Sequence, residues 1–291
     1  MIFKRPKIAD KAWVAECFSK APDLSCEYTF GNIYNYVPKI DIKIAEQDGC
    51  FVSKCRVADK NTYCYPVGGD TLSALKAIIE DAGDEKVSMF GLNAEAKKEL
   101  ESFMPGKFDI TLNRDAGDYV YLSSDLANLA GKKYQQKRNH ISFFMRNNRW
   151  AYETIDKSNI PECIQMGHEW LNDCLPDMYE DLYIEEIMIR RAFESYDELG
   201  FKGGLLRADG RVIAYTMGEP INNDTFCVHY EKAFSYIRGA YPMINQQFVK
   251  NELMGYTYIN REDDVGAENL RKAKLSYHPY KIAEKYDAVM K

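Results

Sequence analysis

Apolar residues recur along the chain at two spacings. Through residues 8–20, 27–36, 71–82 and 93–103 they return every three or four positions, the stripe of a helix that buries one face. Through 40–46, 50–57, 62–67, 87–90, 108–112 and 119–122 the runs are short and rich in aromatic and β-branched residues, as strands are. Turn residues separate them: Gln47–Asp48–Gly49, Asp59–Lys60–Asn61, and Gly68–Gly69–Asp70 ahead of the 71–82 helix. The predicted order is α-α-β-β-β-α-β-α-β.

The second half runs through the same order. A strand at 151–155 precedes helices at 161–174 and 181–199. Strands at 203–207 and 212–217 are joined by Ala208–Asp209–Gly210, a hairpin signal, and Asn222–Asn223–Asp224 leads into 226–231. A helix at 243–254, a strand at 256–260, a helix to Tyr277 that Pro279 ends, and a last segment at 280–290 complete it. The expectation is two copies of one mixed-sheet α/β unit: residues 1–124, a connecting helix 125–150, and residues 151–291.

Two helices carry charge beside their apolar face. On the helix predicted at 133–147, Tyr134, Ile141, Phe144 and Met145 form the apolar side, and Lys137 and Arg138 project onto it. Buried charge without a partner is costly, so these two either reach water at the margin or meet an anion or carboxylate between the halves. On the last helix Leu270, Ala273 and Tyr277 share a face, and Arg271, Lys274 and His278 form an adjoining cationic strip. That strip either favours the helix dipole or aims positive charge into a cleft.

At 291 residues with 46% hydrophobic and 28% charged residues, the chain can bury substantial cores. The net charge of −6 disfavours nonspecific binding to DNA, leaving only local basic patches for polyanions. No apolar run approaches the ~20 residues that cross a bilayer, and the N-terminus lacks a secretory apolar stretch, so a cytoplasmic setting is expected. The eight cysteines at 17, 26, 50, 55, 64, 163, 174 and 227 contain no C-x-x-C pair and read as buried thiols. His168–Glu169 opens like a zinc-binding helix, but position 172 is Asn, so no metal is expected.

Four segments narrow the reading: C-E-Y-T-F-G-N-I-Y (26–34), D-Y-V-Y-L-S-S-D-L-A-N-L-A-G-K-K-Y-Q-Q-K-R-N-H-I (118–141), H-Y-E-K-A (229–233) and Y-I-N-R-E-D-D-V-G-A-E-N-L-R-K-A-K-L-S-Y-H-P (258–279). With the element order, the chain resembles tandem GNAT acyltransferases, and within them the soluble bacterial proteins related to the C-terminal domain of phosphatidylglycerol lysyltransferase. The resemblance implies transfer of an acyl or aminoacyl group to an amine or hydroxyl of a small-molecule, peptide or lipid-head-group acceptor. Aminoacyl-tRNA is the donor it implies, which makes tRNA a partner. Acyl-CoA is the alternative donor, and a non-catalytic small-molecule-binding module is the alternative to catalysis. The CoA pyrophosphate loop is met only by Tyr236–Ile237–Arg238–Gly239–Ala240–Tyr241, with one glycine, while Gly68–Gly69 reads as a turn.

Such transfer needs a neutral nucleophile, held reactants and donors for the developing oxyanion. On the 226–231 strand, Cys227, His229 and Glu231 alternate with Phe226, Val228 and Tyr230. Glu231 is the first candidate to orient an amine and take its proton, and His229 the second. The alternative for Glu231 is an ion pair across the sheet. In this fold Asn260, Glu262 and Asp263 end the neighbouring strand where the cleft opens, and are candidates to bind a substrate ammonium. Arg271, Lys274, Lys137, Arg138 and Arg238 are candidates for phosphate or carboxylate.

Overall fold

The computed structural model describes residues 1–20, 23–57, 60–173 and 179–291; Asp59 of the expected turn and Cys174 lie outside them. Its strands, in chain order, are β1 (Lys43–Gln47), β2 (Cys50–Val57), β3 (Lys60–Cys64), β4 (Val67–Gly68), β5 (Ser88–Leu92), β6 (Phe108–Leu112), β7 (Asp118–Leu122), β8 (Trp150–Thr154), β9 (Lys202–Ala208), β10 (Arg211–Pro220), β11 (Thr225–Ala233), β12 (Tyr258–Asn260), β13 (Lys281–Ala283) and β14 (Tyr286–Met290). They form two sheets, β1-β2-β3-β5-β14-β6 with β4 on β2, and β13-β7-β12-β11-β10-β9-β8. Each sheet holds a parallel pair, β3 with β5 and β11 with β12, beside an antiparallel meander. A parallel neighbour needs a crossover. Helices Thr71–Ala82 and Ala240–Phe248 lie on those connections. The fold is mixed α/β with the duplicated, GNAT-like order expected.

Local chemistry sets these elements. Asp48–Gly49 and Asp209–Gly210 have positive φ at both residues, the geometry of a tight hairpin, and they join β1 to β2 and β9 to β10. Asp70 and Asn93 cap their helices by accepting the amides of Ser73 and Ala96 at 3.0 and 2.8 Å. Gly68 closes β4 opposite Cys50 and Gly69 bends toward the helix: the Gly69 amide donates to Gly49 O at 3.0 Å, and a Cβ on Gly69 would stand 2.3 Å from Asp48 O. Among the described residues, no cysteine forms a disulfide.

The chain divides into two compact units that are discontinuous in sequence. The first comprises 1–119, 263–271 and 282–291; the second comprises 120–262 and 272–281. Val52, Tyr63, Leu75, Ile78, Met89, Leu92, Leu100 and Ala288 centre the first core, with the C-terminal β14 lying between β5 and β6. In the second, Leu205, Leu206, Tyr215, Met217, Phe226, Met243, Ile244 and Phe248 are buried. Tyr134, Ile141 and Phe144 on helix Gln135–Asn147 and the turn before it are buried as expected, while Met145 is exposed.

The last helix departs from expectation. It spans Glu268–Leu275 and buries no residue, so Leu270 and Ala273 do not form a core seam. Tyr277 is buried, but from beyond the helix end. The cause is local: Pro279 disfavours helical backbone at the residue before it, and His278 turns left-handed at φ 51°.

Candidate active site

A β-bulge begins the site. Along β10 and β11 the register pairs Met217 with Tyr230 and then Gly218 with Val228, so His229 is the extra residue. Gly218 is required there, because any Cβ would stand 1.8 Å from Cys227 O. The parallel β11–β12 register sets Cys227 opposite Asn260. Asn260 Oδ1 accepts the Glu262 amide at 2.6 Å, and Glu262 takes a left-handed φ of 55°. Its carboxylate thereby reaches His229 Nδ1 at 2.7 Å, while Glu219 reaches Nε2 at 3.1 Å. Cys227 Sγ lies 3.6 Å from Nδ1, and Phe201 packs on the ring.

This geometry decides the protonation of His229. Ionised carboxylates accept and do not donate, so two of them on the two ring nitrogens hold an imidazolium. Burial works against that charge, but Cys227, Glu219 and Glu262 outweigh it and raise the pKa well above the ordinary value. An imidazolium has no lone pair to take a proton from an amine. His229 therefore does not fit the base role considered for it.

Glu231 has a separate set of partners. Arg261 Nη2 donates to its Oε1 at 2.8 Å and Asn245 Nδ2 to its Oε2 at 3.2 Å. Cross-sheet ion pairing thus accounts for Glu231 in this state. The Arg261 guanidinium stands 4.8 Å from the Tyr277 ring centroid and 5.7 Å from that of Tyr121. Lys137 Nζ lies 3.8 Å from the Tyr277 ring centroid. Burial and the neighbouring Arg261 charge, partly offset by Glu231, bring the Lys137 pKa down to about 8. Lys274 donates to Arg261 O at 2.7 Å and holds the backbone after β12.

Other expected site residues are occupied elsewhere. Arg138 donates to Leu129 O and Gly131 O at 2.5 and 2.6 Å, closing the end of helix Ser123–Asn128. Arg238 is exposed, with its guanidinium 4.5 Å from the Phe143 ring centroid. Asp263 accepts the Val265 amide at 3.1 Å. Arg271 forms a two-pronged pair with buried Asp264, both contacts at 2.8 Å, and reaches Asp115 at 2.6 Å. Hydrogen bonding from Arg271 holds Asp264 well below the usual carboxylate range. Arg271→Met should destabilise the fold, because it removes the two-pronged cation from buried Asp264 and leaves it only Arg114 at 3.7 Å and the Tyr119 hydroxyl at 2.5 Å. Urea unfolding at pH 7 checks this, and wild-type stability would contradict the structural role.

Sequence reasoning passed over Arg261, Asn245, Tyr277 and Tyr121 in the Glu231 set, and Glu219 in the His229 set. Arg261 was the legible one: it stands between Asn260 and Glu262, directly after the strand both were read from.

Comparison with known proteins bears on this geometry. An uncharacterized protein of Mycoplasmoides gallisepticum is 26% identical over 199 residues, covering 65% of this chain and 61% of that protein's length. The crystal structure of a conserved protein of unknown function from Bacteroides thetaiotaomicron is 39% identical, with a TM-score of 0.93 over 100% of both chains. L-PGS from Bacillus licheniformis shares the fold at 15% identity, with a TM-score of 0.69 over 100% of this chain and 94% of that one. The family described as phosphatidylglycerol lysyltransferase, C-terminal, matches residues 19–289, and the chain belongs to that family.

Proposed function

We propose that this chain transfers an activated acyl or aminoacyl group to an amine or hydroxyl acceptor at the Lys137–Arg261–Glu231–Tyr277 cluster. One observation carries the placement: Arg261 Nη1 and Asn245 Oδ1 are buried with no hydrogen-bond partner among the described residues, beside a lysine titrating at about 8. An unspent buried donor and acceptor, Arg261 Nη1 and Asn245 Oδ1, are expensive unless a ligand completes them. Family membership supports the reaction class.

In this reading neutral Lys137 takes the proton as the acceptor nitrogen or oxygen attacks the acyl carbon, and returns it to the donor's leaving oxygen as that bond breaks. Arg261, held by Glu231, supplies a fixed donor toward the developing negative charge. Asn260 and Lys274 hold the loop carrying Arg261 and Glu262.

Aminoacyl-tRNA is the donor class favoured over acyl-CoA. A pyrophosphate cradle needs free backbone amides, but those of Ile237 and Ala240 already donate to Phe234 O and Ile237 O, both at 3.1 Å. Gly239 is explained by packing, since a Cβ there would stand 2.4 Å from His140 O. Small molecules, peptides and lipid head groups remain the acceptor classes.

Thermal-shift titration with aminoacyl-tRNA, uncharged tRNA, free amino acids and acetyl-CoA tests the reading. At a hundred times its Kd a true ligand stabilises by about 2.7 kcal/mol, a rise of roughly 5 °C or more. A saturable rise with an aminoacyl ligand, lost in Glu231→Gln, is the expected result. A response to acetyl-CoA alone would overturn the donor assignment. Binding without turnover across donors would leave the chain a binding module.

A further inference from the structure

We propose that Cys227, His229 and Glu262 form a site for a zinc-class divalent cation, with Glu219 as the carboxylate that orients the histidine. The site is separate from the transfer reading and stands without it.

The donor set is thiolate, imidazole and carboxylate, the combination that borderline-soft divalent ions take. Cys227 Sγ is 3.6 Å from His229 Nδ1 and 3.9 Å from Glu262 Oε1, and Nδ1 is 2.7 Å from Oε1. A tetrahedral zinc ion with ordinary bond lengths holds such atoms roughly 3.4–3.6 Å apart. The two sulfur distances are already close to that range. The third is a hydrogen bond, and a metal replacing its proton would open it by roughly 0.7 Å. Glu219 stands 3.1 Å from Nε2, the far nitrogen, and so fixes which nitrogen faces the ion. A carboxylate behind a ligating histidine is the recurring outer support of zinc sites. Cys227 is fully buried, and Glu262, about one-fifth exposed, forms the solvent side.

Metal binding displaces protons: a bound cation takes thiolate and neutral imidazole, so the Nδ1 proton, and the Sγ proton where one is present, leave to solvent as the ion enters. A second cluster in the first unit shows the contrast. There Cys26, Glu27 and Asp118 surround Lys285, whose Nζ is 3.3 Å from the sulfur and 2.8 Å from each carboxylate, so a covalently attached cation fills the place.

The spacing in sequence hides the site. Cys227-x-His229 is a two-residue signal, and Glu262 lies 33 residues beyond the histidine. Only the parallel register of β11 and β12 assembles the three.

Metal-free protein titrated with Co²⁺ and Zn²⁺ tests the proposal. Expected are one ion per chain, a thiolate-to-cobalt charge-transfer band, and release of up to two protons, read in buffers of different ionisation enthalpy. Cys227→Ser should abolish the band. Glu219→Gln should weaken binding 10- to 100-fold while keeping the band, as loss of an outer carboxylate does. No stoichiometric binding by wild-type protein would overturn the proposal. So would an undiminished band in Cys227→Ser, which would place the ion on another cysteine.

Discussion

Lys285→Met is expected to lower folding stability by about 3–5 kcal/mol at pH 7, the cost of leaving buried carboxylates without their cation. Lys285 is 1% exposed, 2.8 Å from the fully buried Asp118 and 2.7 Å from Glu27. Burial disfavours its ammonium, yet Asp118, Cys26 and Glu27 together raise its pKa well above the ordinary value. A lysine with a raised folded pKa contributes its full stability below about 10.5, its unfolded value, and loses it as pH rises through the folded value. In the variant the sign belongs to the carboxylates. Burial already holds Glu27 above its usual pKa, so the native state binds more protons than the unfolded one just above the usual range. The deficit should therefore shrink as pH falls toward that range. Urea midpoints at pH 7 and pH 5 measure it; a small, pH-independent loss would contradict the account.

Lys137→Met is expected to reduce transfer about 10²- to 10⁴-fold, the usual contribution of a positioned acid–base group. Wild-type rate should climb with pH and level off above about 8, where Lys137 has lost its proton. The variant should lose that limb. Stability should move the other way. A lysine whose folded pKa is depressed carries its penalty in full below the folded value, and the penalty is relieved as pH rises from about 8 toward the unfolded value. Removing the charge should thus leave stability at pH 7 undiminished. A substrate-free check is amine labelling at pH 8 with peptide mapping: Lys137 should react well ahead of ordinary lysines, which are almost wholly protonated there. Labelling at the rate of surface lysines would contradict the assigned pKa.

How much of this was legible in the sequence follows the range of each interaction. Asp48–Gly49, Asp209–Gly210 and the caps Asp70 and Asn93 act within four residues, and each stands where the sequence placed a turn or helix start. β14 lying between β5 and β6 is a pairing across nearly 200 residues, and no local pattern marks it. The His229 bulge shifts one residue out of the alternation from which its neighbours were read. Arg271 shows the limit of charge patterning. Its cationic strip was visible, but its partners Asp115 and Asp264 were not, and they make the residue structural. Lys137 was placed on the apolar margin of its helix, yet its pKa is lowered by burial and by the charge of Arg261, which follows β12, against a partial offset from Glu231 on β11.

The central claim, transfer at the Lys137–Arg261–Glu231 cluster, meets its most direct test in an acceptor screen. A pool of tRNA charged with labelled amino acids would be incubated with the protein and with panels of amine and hydroxyl acceptors, and label would be followed from tRNA to product. Acceptor-dependent transfer by wild-type protein, reduced at least a hundredfold in Lys137→Met, is the predicted result. Transfer unchanged in Lys137→Met and Glu231→Gln, or transfer seen only when labelled acetyl-CoA replaces the charged tRNA, would contradict it.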